Sequence, residues 1–396
     1  MSEESELRRS TRKRRGSRFR VPPRRAASAV GLVVAAASVL VAPAATAESD
    51  QGSTAATSST SSECSQVLEH AKAAASPGMD RAVCVRAVHP GPASDTDASA
   101  AQAGTALPER CLGSIPEQTW MIDRFVGCNQ TFLEISVLQV PDGKLVGTAK
   151  AAVINSVEAD PRGLTWTHRI KFVRLSGWGD INGLIPQGTP ACPLECTVTG
   201  SQLPNRLLLD QPEGNLAATS SIDPRTKGTI AAGQSRWSVS FSQMGAFPSQ
   251  PADFTSEAVR CDTATPNARP GCVLSRYTPT LNYTTAHNGE LATHIRDAQA
   301  SGRPGAPASG KPLTRTTNRT RVELNRTTSC PPLLPRPPGT QCDEYPFAST
   351  QQGGLLNGAS SRLIDQDDNT TGGNELAAFY RQNRVVDSDP FYVQID

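Results

Sequence analysis

Two carboxylates stand side by side at Asp343-Glu344, between Cys342 and the string Tyr345-Pro346-Phe347-Ala348-Ser349-Thr350. Further on, Asp367-Asp368-Asn369-Thr370-Thr371-Gly372-Gly373-Asn374-Glu375 gathers more oxygen-bearing side chains around a glycine pair. Neighbouring side chains on an extended segment point to opposite faces, so Asp343 and Glu344 divide their work. One can take a proton from a water as general base, while the other orients a neighbour or anchors the loop. Glu375 and Gln382 would lie off the apolar face of the segment that follows, and oxygen ligands at a helix start suit a hard divalent cation such as magnesium or manganese. No histidine follows His294, so a Ser-His-Asp site cannot be assembled from this segment alone. An isolated Asp-Glu pair is more often a solvated turn; the chemistry rests on the company it keeps.

That company needs a scaffold. Leu376, Phe379 and Tyr380 share one face of a short helix, which Asn374 or Thr371 would cap. Asp387-Ser388-Asp389-Pro390 then turns the chain into a terminal strand over 391–395. Upstream, residues 289–300 read as another helix. Between 288 and 342 the chain carries eight basic and three acidic residues, Arg326 among them; between 343 and 396 it carries three basic, Arg362 included, and nine acidic. Cations that grip a polyanion beside carboxylates that collect a metal ion are what a metal-dependent phosphodiesterase requires. An unevenly charged solvated surface is the plainer alternative.

Residues 111–286 have a different texture. The stretches 132–140, 144–153, 165–173 and 236–242 alternate apolar and polar residues between turn signals such as Pro141-Asp142-Gly143. This predicts an antiparallel, sandwich- or barrel-like β domain without a site signature of its own, in a chain of α+β class. His168 reads as a structural histidine on one of these strands, and the four tryptophans read first as core.

The first 47 residues combine ten Lys or Arg before residue 26, an alanine-rich apolar run from Ala26 to Val41, and Ala45-Thr46-Ala47. That order predicts an export signal, so a secreted protein with no membrane segment in its mature form. Its removal takes the formal charge from +2 to about −5, so net charge alone gives no argument for nucleic acid. Residues 48–110 read as a polar leader with a short helix near Val67 and Leu68. All ten cysteines follow the signal, as expected of disulfides in an exported chain. Pairing of sequence neighbours would close short loops, with Cys330 and Cys342 bracing the approach to Asp343.

Cys342-Asp343-Glu344-Tyr345-Pro346-Phe347-Ala348-Ser349, the Gly353-Gly354 pair, Asp368-Asn369-Thr370-Thr371-Gly372-Gly373 and Asp389-Pro390-Phe391-Tyr392-Val393 resemble the NucA/NucB deoxyribonuclease domain of secreted bacterial nucleases. The resemblance covers about residues 300–396 and implies a small ββα-metal-like core over 287–396. It implies that Asp343 replaces a histidine base, that Asn369 sits at the family's Asp-Asn position, and that Glu375 or Asn374 binds the metal. The chain lacks the family's Asp-Arg before the Asp-Glu pair, carrying Gln341-Cys342 there. The expected activity is a DNA endonuclease with little sequence preference, Arg326 and Arg362 contacting phosphates. Two other readings stay open on sequence alone: a secreted wall- or surface-binding β protein with an inactive nuclease-like domain, and a delivered DNase toxin with an immunity partner.

Overall fold

The computed structural model describes residues 62–74, 77–89, 107–140 and 142–396. The expected export signal, the start of the leader and the polar stretch 90–106 lie outside them. The strands, in chain order, are β1 (Arg81–Val88), β2 (Met121–Ile122), β3 (Val126–Gln139), β4 (Leu145–Ala159), β5 (Thr165–Gly179), β6 (Ile185–Leu194), β7 (Cys196–Gln202), β8 (Glu213–Ser220) and β9 (Ile230–Ser242). They continue as β10 (Ala246–Phe247), β11 (Ala252–Thr255), β12 (Val259–Asp262), β13 (Gly271–Leu274), β14 (Thr280–Tyr283), β15 (Leu313–Thr314), β16 (Thr340–Tyr345), β17 (Ser360–Asp365) and β18 (Pro390–Ile395). Interspersed among the described residues are the α-helices α1 (Ser62–Ala74), α2 (Thr285–Ala300), α3 (Arg319–Ser329) and α4 (Gln366–Gln382).

The alternating stretches become the long strands β3, β4, β5 and β9. They form the heart of an eight-stranded, curled half-barrel sheet of order β10-β1-β3-β4-β5-β8-β7, with β2 on β3, and of a five-stranded sheet centred on β9. Side chains of both sheets meet in one core, where Phe172 packs edge-on against Phe241 and Phe254. Each such fully buried aromatic or aliphatic side chain contributes roughly 1.5–3 kcal/mol. Trp166 and Trp237 belong to that core, whereas Trp178 is exposed. His168 is fully buried, its Nδ1 3.3 Å from Ser235 Oγ, and burial lowers its pKa to about 3, so it is neutral. β1 comes from the segment read as a leader and pairs along its whole length with β3. A disulfide from Cys64 in α1 to Cys84 in β1 pins the helix to the sheet. All five bridges join sequence neighbours, the others being Cys111–Cys128, Cys192–Cys196, Cys261–Cys272 and Cys330–Cys342.

The C-terminal part has its own core. β18 lies between β14, its parallel partner, and β15, antiparallel to it. Leu291, Ile295 and Ala298 of α2 pack there with Tyr283 of β14, Phe379 of α4 and Phe391 of β18. Beside this core, β16 and β17 form an antiparallel hairpin that runs straight into α4.

Helix α4 differs from the short helix expected from Asn374 onward. It begins at Gln366, and Asp365 caps it, its carboxylate accepting from the N–H groups of Asp367 and Asp368 at 2.8 and 3.1 Å. Gly372 and Gly373 therefore lie inside the helix rather than in a turn before it. Gly372 is there for close approach: a Cβ would collide with Leu291 of α2, and the Gly372 carbonyl accepts from Tyr283 Oη at 2.7 Å.

A buried ionic network ties the two cores together. Asp389, before β18, pairs with Arg124 at 3.2 Å and with Arg260 of β12, while Arg384 after α4 pairs with Asp262 at 2.8 Å. Arg124, Arg260, Asp262 and Arg384 are all buried, so each charge depends on its partners for solvation.

Candidate active site

A cavity of about 760 Å³ opens where β16, α3 and α4 converge. Asp343 and Glu344 line it from β16, Arg326 and Cys330 from α3 and its C-terminus, Asn369 and Tyr380 from α4. As strand alternation requires, the two carboxylates turn opposite ways.

Asp343 turns toward α2. Its Oδ2 accepts from His294 Nδ1 at 2.6 Å, and His294 Nε2 is 2.9 Å from Ser360 Oγ on β17. His294 is wholly buried and Asp343 nearly so. A carboxylate can only accept, so the proton of this bond resides on Nδ1, and Nε2 is left to bond the Ser360 hydroxyl. The imidazole is thereby fixed at both ends, and Asp343 is fixed with it.

Glu344 turns toward α3, its Oε2 3.5 Å from the Cys330 sulfur of the Cys330–Cys342 bridge. Burial, reinforced by the neighbouring charge of Asp343, pushes its carboxyl up to about 7, against the pull of Arg326 and the Ala348 N–H. The bridge joins the end of α3 to β16 one residue before Asp343, so it bears directly on where both carboxylates sit.

Asn369 faces the same cavity from α4. Its Nδ2 donates to Gln341 Oε1 at 2.8 Å, which fixes the amide and leaves Oδ1 available. Arg315, over the ring of Tyr380 at 4.2 Å, adds a cation to the wall.

The structure thus brings Asp343, Glu344, Asn369, Arg326 and the Cys330–Cys342 bridge to one cavity. Three of the other expected residues lie elsewhere. Glu375 is held on the α2 side, accepting from Asn288 Nδ2 at 2.8 Å and facing His287 Nε2 at 3.0 Å. Asn374 is exposed and lines no part of the cavity. Arg362, opposite Asp343 in the hairpin, points away and pairs with Asp297 at 2.8 Å. The register explains this: with the helix starting at Gln366, Asn369, Gly372, Gly373 and Leu376 come round to the cavity, while Glu375 faces α2. His294 was not among the expected site residues. It lies 49 positions before its partner, but Leu291, Ile295 and Ala298 put it on the apolar face of α2, and a histidine in such a stripe is a buried one.

The donors in the cavity fit a hard cation and not a zinc cage. Among the described residues no group of three or more His, Cys, Asp or Glu could enclose a metal ion. What faces the cavity is oxygen, from Asn369, Glu344 and Asp343; magnesium, which keeps most of its waters, needs only one or two protein oxygens plus a substrate phosphate.

Residues 297–394, the C-terminal quarter of the chain, match the family of deoxyribonuclease NucA/NucB. No curated protein matches the chain. The family makes DNA the expected substrate and phosphodiester hydrolysis the expected reaction. The match takes in the hairpin, α3 and α4, and begins three residues after His294.

Proposed function

We propose that this protein is a secreted, metal-dependent DNA endonuclease with little sequence preference. The observation that carries the reading is Asp343, a carboxylate of the matched segment held by a buried histidine at the wall of an arginine-flanked cavity. Asp343 takes the proton of the attacking water, which enters in line with the phosphorus–oxygen bond that breaks. His294 holds that carboxylate in one orientation, so little reorganisation is left for the reaction itself. Arg326 and Arg315 offset the phosphate charge, and the departing oxygen regains its proton from solvent. Asn369 Oδ1 and Glu344 are the groups that would hold magnesium or manganese. When bound, the cation supplies charge stabilisation to the phosphate and the leaving oxygen. The β16–β17–α4 succession is the basis for the ββα-metal-like reading of the core.

Contacts of this kind go to the backbone and carry no base information, which supports low sequence preference. Five disulfides, and no described helix long and apolar enough to cross a membrane, are consistent with an extracellular protein. The test is plasmid digestion by the disulfide-intact protein with magnesium or manganese, with and without chelator, beside Asp343→Ala. Cutting that needs the metal and is lost in the variant is expected. A folded wild type that leaves plasmid intact refutes the nuclease reading, and cutting that survives Asp343→Ala refutes the assignment of the base.

A further inference from the structure

A second cavity, of about 510 Å³, lies where the β-rich part meets the end of α4. Four arginines line it, Arg162, Arg269, Arg381 and Arg384, and no carboxylate does. They come from three separate segments: the β4–β5 turn, the β12–β13 hairpin closed by Cys261–Cys272, and the end of α4 with the residues just after it.

The fourth arginine organises the other three. Arg384 is buried and spends its guanidinium internally: on the Asp262 carboxylate, on the Pro161 carbonyl at 3.2 Å and on the Arg269 carbonyl at 2.8 Å. One side chain therefore fixes the backbone beside Arg162 and at Arg269, and does so from the same loop that follows Arg381. Those three arginines are exposed, and among the described residues their guanidinium groups make no ion pair or hydrogen bond. Asp160, in the same turn as Arg162, spends its carboxylate on the Arg162 backbone N–H at 2.8 Å and pairs with none of the three guanidinium groups, so their positive charge is left for a ligand.

This cavity adjoins the candidate active site. The β12–β13 hairpin supplies Pro266 to the first and Asn267 and Arg269 to the second, and α4 supplies Tyr380 to the first and Arg381 to the second. A polyanion in the catalytic cavity meets the arginine cluster next along both walls.

We propose that this arginine cavity is a second phosphodiester-binding site, which grips the DNA backbone beyond the scissile phosphate and makes the β-rich part a component of the substrate-binding surface. The proposal rests on the nuclease reading for its ligand and assigns the region outside the matched family a role in holding it. Guanidinium groups pair bidentately with phosphate oxygens and are less strongly hydrated than lysine ammonium, which suits an exposed backbone clamp.

The test uses the full disulfide-bonded chain carrying Asp343→Ala, so that substrate stays intact, and a 30-base-pair duplex, a length chosen as about three helical turns. Fluorescence anisotropy is read from about 50 to 200 mM salt, a range over which counterion release is resolved. The triple variant Arg162→Ala, Arg269→Ala, Arg381→Ala should bind roughly 10- to 100-fold more weakly, with a salt slope shallower by about two to three, one per lost phosphate contact. Lysine at all three positions should retain most of the slope, which separates lost charge from lost folding. With Asp343 restored, the alanine triple should cut long duplex poorly yet hydrolyse bis-p-nitrophenyl phosphate, too short to reach the second cavity, at the wild-type rate. Unchanged affinity and slope in the alanine triple would overturn the proposal, even if the wild type cuts DNA. Loss of slope in a protein whose parent never cuts DNA would uphold this site while the nuclease reading fails.

Discussion

Replacing His294 with leucine removes the one side chain that, among the described residues, hydrogen-bonds the Asp343 carboxylate. The bond at stake is 2.6 Å long, charge-assisted and buried at both ends. Such bonds contribute about 1.5–3 kcal/mol. If Asp343 acts as base, that energy appears in the turnover step, because an untethered carboxylate must be ordered each time the transition state forms. At about 1.4 kcal/mol per tenfold, kcat should fall by roughly 10- to 150-fold, while KM for duplex DNA, which the proposed arginine contacts would set, should change little. Steady-state cleavage of a fluorophore-quencher duplex reads both constants, and thermal melting reports folding separately. Asparagine at 294 places an amide where Nδ1 lies and should restore much of kcat. Glutamine places its amide nearer the Nε2 position, keeps at most the Ser360 contact and should remain close to leucine. Wild-type kcat in the folded leucine variant, or asparagine performing no better than glutamine, would refute the positioning role of His294.

The Glu344 carboxyl, raised from 4.5 to about 7, binds its proton more tightly in the folded state than in the unfolded one. In chelator, stability should therefore fall as pH rises from about 4.5 to 7, by at most about 3 kcal/mol, and Glu344→Gln should flatten that part of a denaturation-versus-pH profile. Asn369→Ala should raise the manganese concentration needed for half-maximal cutting about tenfold or more, whereas Glu375→Ala should leave it within about twofold; the reverse order would move the cation to the α2 side of the helix. Replacing Cys330 and Cys342 together by serine removes a cross-link spanning 12 residues, expected to cost about 3 kcal/mol on chemical denaturation and to lower kcat as β16 loosens. Gly372→Ala forces a Cβ into Leu291 and should cost about 1–3 kcal/mol by the same measurement.

The long strands are legible in the sequence because each keeps one face buried, and period two survives in the letters of β3, β4, β5 and β9. The cysteine pairing follows chain neighbours, which proximity favours. The start of α4 is not legible, because Gly372-Gly373 carries the local signature of a turn, while its reason is contact with Leu291, a residue 81 positions away by number. That difference in register leaves Glu375 facing α2 and Asn374 exposed, while Asn369 comes round to the cavity. Asp343 and Glu344 could be singled out because both carboxylates stand in one short motif. Their different surroundings could not: His294 reaches one from α2, and Arg326 with the Cys330 bridge approaches the other from α3. Arg362 looked like a free cation because Asp297, its partner, lies on a distant helix.

The network of Arg124, Arg260, Arg384, Asp262 and Asp389 bears on how this protein can be dissected. A fragment cut to residues 297–394 would lose β14, the parallel neighbour of β18, along with His294 and the cations that neutralise Asp389. Arg384 would keep its charge but have no Asp262 to receive it. The matched segment is therefore not a portable cassette. A chimera that grafts it onto another carrier must bring along β12, the Arg124 turn and everything from β14 onward, or redesign those buried charges as apolar contacts.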